Sequence, residues 1–165
     1  MLSPVLRLSI GDRPVPAKGD YDMDYKLELV LIPVSDVDRA KKFYLESAGF
    51  VLIVDTPIGE GRRVVQVVPP GSECAIGFGT GLTSAAPGAA QGLHLVVSDI
   101  LAARAELIDR GVAVSDVRHL ESGTWVDGPH PQRANYESFA DFTDPDGNIW
   151  ILQEVDRSKT EHGSN

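Results

Sequence analysis

Apolar and polar positions along the chain fall into two similar blocks, separated by a stretch rich in Gly, Ala and Pro. Each block opens on a short apolar strand, passes through Val-Ser-Asp, continues as an amphipathic helix and stops at a glycine. The two copies are LIPVSDVDRAKKFYLESAGF (31–50) and LVVSDILAARAELIDRGV (95–112), offset by about 63 residues, which marks an internal repeat. Asp36 and Asp99 stand where a side chain accepts the free N–H groups of a helix start. Val37, Ala40, Phe43 and Tyr44 share one helix face, as do Ile100, Ala103 and Leu107. Gly49 and Gly111 suit the left-handed residue that ends a helix.

β-type runs follow each helix: 50–54, 63–68 and 74–78 in the first block, then 112–117, 138–143 and 149–155 in the second. The pattern predicts an α+β fold of two tandem β-α-β-β-β modules. Module one covers 26–80, a flexible linker 81–91, and module two 92–155, all within one domain of residues 25–155. Residues 1–24 carry Pro4, Gly11, Pro14, Pro16 and Gly19 and read as a flexible arm, with Met23 as an alternative start of translation. Residues 156–165 are polar and read as a disordered tail.

The last hairpin, SFADFTDPDGNIWILQEV (138–155), has its turn chemistry in Asp144, Pro145 and Gly147. Period-two alternation sends Ile149, Ile151 and Gln153 to one side and Trp150 and Leu152 to the other, where Trp150 suits the core. Residues 119–137 are too long for an ordinary hairpin loop and read as a lid. Trp125, His130, Arg133 and Tyr136 within it have the chemistry of a clasp over a flat organic ligand. The same residue types also pin loops across dimer partners.

Composition narrows the function. The chain has 165 residues, 42% of them hydrophobic and 24% charged, and no apolar run nears the roughly 20 residues that cross a bilayer. Arg7 interrupts the first apolar stretch and no small-residue cleavage site follows, so the start is a poor secretory signal. The single cysteine, Cys74, rules out an internal disulfide and fits a reducing cytoplasm. Without a lysine or helix start nearby, its thiol is expected to be unactivated. A net charge of −9 argues against nucleic acid or an anionic membrane and favours a cationic or neutral small molecule. Arg62 and Arg63 read as a solvated pair at a strand start, with neutralisation of an anionic ligand as the other option. Phosphate-cradling glycine loops, nucleophile elbows and Cys-x-x-Cys pairs are absent from the sequence.

The two-fold pattern, V-S-D-V-D-R-A-x-x-F-Y with G-F in residues 34–50, and D-P-D-G-N at 144–148 together resemble the vicinal oxygen chelate superfamily. That group includes glyoxalase I, extradiol dioxygenases, fosfomycin resistance enzymes and bleomycin resistance proteins. The resemblance covers about residues 26–155. It implies modules whose mixed sheets curl around a groove, frequent dimerisation and, in many members, a divalent metal between the modules. Carried onto this chain, the family's ligand positions fall on Leu29, Gly92, Ala75 and Ile151, none of which has a donor side chain for a metal. A metal-free groove without cofactor is therefore expected. The alternative is a displaced site using His94 with Gln153, or with Glu154 if the strand bulges, plus His119 or His130.

His94 points toward the expected groove. It suits acid–base chemistry or a ligand contact, with a hydrogen-bonded core histidine as the plainer reading. The expected ligand contacts are His94, Trp125, Tyr136, Ile149, Ile151 and Gln153, with His94 the sole catalytic candidate. The function implied by the resemblance is sequestration of a small organic molecule by a cytoplasmic homodimer. The alternative is a lyase, isomerase or dioxygenase that uses a relocated metal or His94 as acid or base.

Overall fold

A computed structural model describes residues 22–159. The expectations for residues 1–21 and 160–165 lie outside the described residues. Residues 157–159, within the segment read as a tail, form one 3-10 turn, and Asp156 accepts the Ser158 N–H at 3.1 Å.

Strand β1 (Leu29–Leu31) leads into α1 (Val37–Lys42), whose first turn is capped by Asp36 accepting the Arg39 N–H at 3.0 Å. The helix then widens into a π-helical turn, Phe43–Ser47, in which the Ala48 N–H reaches back to Phe43 O at 2.9 Å. Gly49, with φ +75°, ends it. Strands β2 (Val51–Gly59), β3 (Arg62–Val68) and β4 (Ala75–Thr80) complete a four-stranded sheet in the order β1-β4-β3-β2.

The second unit repeats the plan with β5 (Leu93–Val97), α2 (Ile100–Asp109), β6 (Arg118–Glu121), β7 (Thr124–Asp127), β8 (Ser138–Thr143) and β9 (Ile149–Glu154). Its order is β5-β9-β8-β6-β7. β1 runs parallel to β4 and β5 parallel to β9, while the other pairs are antiparallel. The architecture is thus two mixed sheets with few helices and no closed barrel.

Two strand expectations need correction. Residues 112–117 are not a strand: only a bridge from Val114 to Phe142 forms there, and the ladder proper starts at Arg118. The cause is Ser115, whose hydroxyl accepts the Asp141 N–H at 2.9 Å while its own N–H donates to Asp141 O at 2.8 Å. A side chain there replaces a backbone acceptor and displaces the ladder. The stretch 119–137 is not a free lid either, because its first half is the β6–β7 hairpin. Ser122 and Gly123 both have positive φ, 50° and 85°, which is the two-residue turn whose twist matches paired strands. Glu60 and Gly61 turn β2 into β3 in the same way, with φ of 52° and 72°.

Each sheet buries one face. Ile32, Val65, Val67, Ile76 and Phe78 from the first meet Ala140, Phe142, Trp150 and Leu152 from the second in one core that also takes Ala40, Tyr44, Ile100 and Leu107 from the helices. Trp150 stacks on Phe142 with ring centres 6.2 Å apart and meets Tyr44 edge-on at 5.9 Å. Each fully buried Val, Ile, Leu or Phe side chain here contributes roughly 1.5–3 kcal/mol by leaving water.

Polar groups fix how the two units meet. The buried Tyr44 hydroxyl donates to Asp144 Oδ2 at 2.8 Å and accepts the Trp150 indole N–H at 3.0 Å. Burial first, and the Asp144 charge second, push the Tyr44 hydroxyl well above the usual phenol range, so it stays a donor. Asn148, fully buried, donates to Pro33 O and Asp144 Oδ2 at 2.8 Å each and accepts the Ala90 N–H at 3.0 Å. Asp146 accepts the N–H and hydroxyl of Ser35 at 3.1 and 2.5 Å. The D-P-D-G-N turn therefore grips the loop between β1 and α1 and the linker at once.

Replacing Asn148 with Ala strands these buried partners and is expected to cost about 2–4 kcal/mol, read as a lowered urea midpoint. Ser35→Ala, at the exposed rim of the same contact, is expected to cost under about 1 kcal/mol.

Candidate functional site

Because the core faces of the sheets are joined, the opposite faces look outward. On the second sheet the register sets out that open face row by row. His94 (β5), Ile151 (β9) and Asp141 (β8) form one row. Val96, Gln153, Phe139, Arg118 and Asp127 form the next, across all five strands. Ile149 and Thr143 flank the first row, and Leu120 pairs with Trp125 beyond the second.

His94, Ile149, Ile151, Gln153 and Trp125 thus share one face. They do not form one tight pocket: His94 and Trp125 lie on opposite edge strands, four spacings or about 19 Å apart along the sheet. An open depression of about 330 Å³ beside them is lined by Ala113, Ser115, Asp141, Thr143 and Ile149, among others.

His94 is exposed, and its Nδ1 lies 2.7 Å from Gly92 O. A carbonyl only accepts, so Nδ1 is the donor, and Nε2 has no hydrogen-bond partner among the described residues. Gln153 donates to Tyr136 O at 3.2 Å. Trp125 is 46% exposed and meets Phe139 edge-to-face at 5.7 Å. Arg118 places its Cζ 5.0 Å from the Trp125 ring centre and donates to Asp141 Oδ2 at 2.8 Å. Sequence reasoning missed Arg118, Phe139 and Asp141. The alternation S-F-A-D-F-T sends Phe139 and Asp141 to the side opposite Phe142, and that was the available signal.

Arg133 is not a clasp. It forks onto the buried Glu154, with Nε 2.7 Å from Oε1 and a second bond to Oε2, and also reaches Asp99 at 3.1 Å. Glu154 lies on the core face and caps α2 by accepting the Ile100 N–H at 2.9 Å, so no bulge brings it to the open face. The Arg133 hydrogen bonds, acting against burial, hold the Glu154 carboxyl below the usual range. The α2 backbone N–H of Ala102 leads the same effect at Asp99.

This ion pair pins residues 128–137 to the end of β9, helped by the Tyr136 N–H donating to Glu154 O at 2.8 Å. Tyr136 is held at φ +68°, a costly conformation for an aromatic residue, beside Gln153 at the margin of the open face. His119 is buried and bonded to Gly128 O at 2.8 Å, with His130 against it at 5.8 Å between ring centres. Of the displaced metal set, His119 and His130 adjoin, while His94 stands on the far edge strand and Glu154 on the core face. Among the described residues no group of three or more His, Cys, Asp or Glu side chains converges.

On the first sheet Leu29 pairs with Ala75, and Leu31 with Gly77. Leu29 and Leu31 side chains would touch a Cβ at Gly77, so this open face is smooth and apolar there. Arg63 is no solvated spare: it holds Asp55 at 2.8 and 2.9 Å and Asp38 at 2.8 Å, and those bonds with Lys41 keep the Asp55 carboxyl well below its usual range. Arg62 stands 3.7 Å from Glu60.

A chain of two such sheets, clamped by D-P-D-G-N and bearing one open face per sheet, has close counterparts. Residues 26–152 match the model of the Glyoxalase/Bleomycin resistance protein/Dioxygenase superfamily, and the protein belongs to that superfamily. TnmS3, an antibiotic binding protein from Streptomyces sp. CB03234, is 34% identical over 81% of this chain and 98% of its own, with a TM-score of 0.64. A glyoxalase/bleomycin resistance protein from the same organism is 35% identical over 78% of this chain and 99% of its own, with a TM-score of 0.60. The YetH protein of Bacillus subtilis is 23% identical over 126 residues, 76% of this chain and 94% of YetH.

Glu154 has a lowered carboxyl pKa, so its pairing stabilises the fold fully above the ordinary glutamate value of 4.5 and is lost as pH falls through the lower folded value. Glu154→Gln is expected to cost about 2–4 kcal/mol at pH 7, the lower side for a broken buried pair because Arg133 is partly exposed. It should also flatten the loss of stability between about pH 5 and 3, followed by denaturant unfolding at each pH.

Proposed function

We propose that the protein binds and sequesters a small organic molecule on the open face of the β5–β9 sheet, without a metal, as a homodimer in a reducing compartment. The observation that carries this reading is Trp125, 46% exposed on the open face with Phe139 at its edge and Arg118 over its ring, an aromatic surface of the kind a flat guest uses. The antibiotic binding activity named for TnmS3 supports it. The overall charge of −9 favours a guest that is not an anion.

Support for the homodimer is the state of the sheet edges. Among the described residues, β1 and β5 are both outer strands with no neighbour on one side. Met23, Tyr25, Leu27 and Leu31 alternate along the chain into β1, and all are exposed, Tyr25 at 90%. A stripe of this kind normally lies against a partner. A second copy would also give the open face the opposing wall that a guest needs to leave water.

A second reading rests on His94, whose Nε2 is not engaged by any described residue, making it a candidate acid or base in an enzyme of the same superfamily.

Three measurements on the full chain separate these readings. Titration with a panel of aromatic antibiotics, followed by tryptophan fluorescence, is expected to show quenching with micromolar or tighter affinity. Trp125→Ala should weaken it at least about tenfold, and the guest should be recovered chemically unchanged after denaturation. Altered guest would favour the His94 enzyme, and stoichiometric metal with chelator-sensitive turnover would overturn sequestration. Sedimentation should give twice the 17.8 kDa chain mass, falling to monomer in Leu31→Glu; a wild-type monomer would end the dimer reading.

A further inference from the structure

The β6–β7 end of the open face carries more charge than an apolar platform needs. Arg118 lies between Phe139 and Asp127 in register. Its guanidinium donates to Asp141 Oδ2 at 2.8 Å and to Ser115 Oγ at 3.3 Å, and its Cζ stands 5.0 Å from the Trp125 ring centre. Asp127 is exposed, two residues from Trp125 on the same side of β7. Its carboxylate forms no hydrogen bond or ion pair with any described residue. Gln153 is neutral, and His94 lies on the opposite edge strand, bonded to Gly92 O. One guanidinium thus faces two carboxylates, and the surplus is one negative charge.

A cation over an indole face is among the stronger contacts an aromatic surface offers. In the unliganded chain the cation in that place is the protein's own. Arg118 has a flexible stem, its side chain is 28% exposed, and its Nη2 is paired with Asp141 Oδ2 at 2.8 Å. An incoming flat cation would find Trp125 shaped for it and Asp127 unpaired beside it. An incoming flat anion would find Arg118 already neutralised by Asp141 and repelled by Asp127.

We propose that Arg118 is a place-holder, resting on Trp125 where a flat, positively charged aromatic group of the guest is received, with Asp127 selecting that charge. The proposal rests on the reading of this face as a small-molecule site. On binding, the guest's ring covers the indole, Asp127 becomes its counter-ion, and Arg118 leaves the ring while retaining Asp141.

The test uses two flat probes of equal size, 9-aminoacridine as the cation and acridine-9-carboxylate as the anion, titrated into the full chain at low and high salt. The cation is expected to bind at least about fivefold tighter at low salt, with the gap narrowing as salt rises. Arg118→Gln removes the competing cation while leaving a polar side chain, so it should tighten 9-aminoacridine by about three- to tenfold. Asp127→Asn should weaken that probe by about three- to fivefold and leave the anion no weaker. Arg118→Lys, which keeps the charge, should stay within about twofold of wild type.

Weaker cation binding in a folded Arg118→Gln, no effect of Asp127→Asn, or equal binding of the two probes would each overturn the exchange while leaving the binding face intact. Failure of both probes to bind, with Trp125→Ala indistinguishable from wild type, would overturn the binding face as well.

Discussion

One buried carboxylate holds the two halves of this chain at a fixed angle. Asp144 is 4% exposed and receives four donors: the N–H groups of Asp146 and Asn148 on Oδ1, and the Tyr44 hydroxyl and Asn148 amide on Oδ2. A charge taken out of water is tolerated only when its lone pairs are met this fully. Two of the donors shape the turn itself, one reaches into the first module, and Asn148 extends the contact to the linker. Because all four share one group, the turn, the position of the π-helical segment and the path of the linker are set together.

The direction in which the sheets face follows from that clamp. It joins the modules through their covered sides, where Tyr44, Trp150, Phe78 and Phe142 meet. The other side of each sheet is left outward, apolar around Leu29, Leu31 and Gly77 on the first and mixed on the second. A surface made this way is shallow in a single chain, and its relief has to come from side chains standing on the sheet. The extra hairpin of the second module supplies them: β7 carries Trp125 and Asp127, and β6 carries Arg118.

The repeat, the helix caps at Asp36 and Asp99 and the parity of β9 were legible because each depends on neighbours within a few residues. Ile149, Ile151 and Gln153 had to share a side once β9 was a strand. The β6–β7 hairpin was legible in principle, since Ser122-Gly123 sits between RHLE and TWVD, but the length of the surrounding segment suggested a loop. Residues 112–117 misled because their composition is β-like while Ser115 diverts the ladder. Arg133 was opaque for a different reason: its partners, Glu154 and Asp99, are 21 and 34 residues away. Sequence shows that an arginine is available, not which carboxylate takes it. Tyr44 and Asp144, 100 residues apart, are the extreme case.

Composition also suggested that the segment between the modules is slack, and Gly88 shows otherwise. Its N–H donates to Pro33 O at 3.2 Å, and a Cβ in its place would stand 2.2 Å from the carbonyl oxygen of Asp146. The strand of chain that looks most like a tether is, at this residue, a fitted seam. Anyone wishing to cut, lengthen or re-join the polypeptide here would do so upstream, at the exposed residues 83–86, and leave the crossing over the last hairpin untouched.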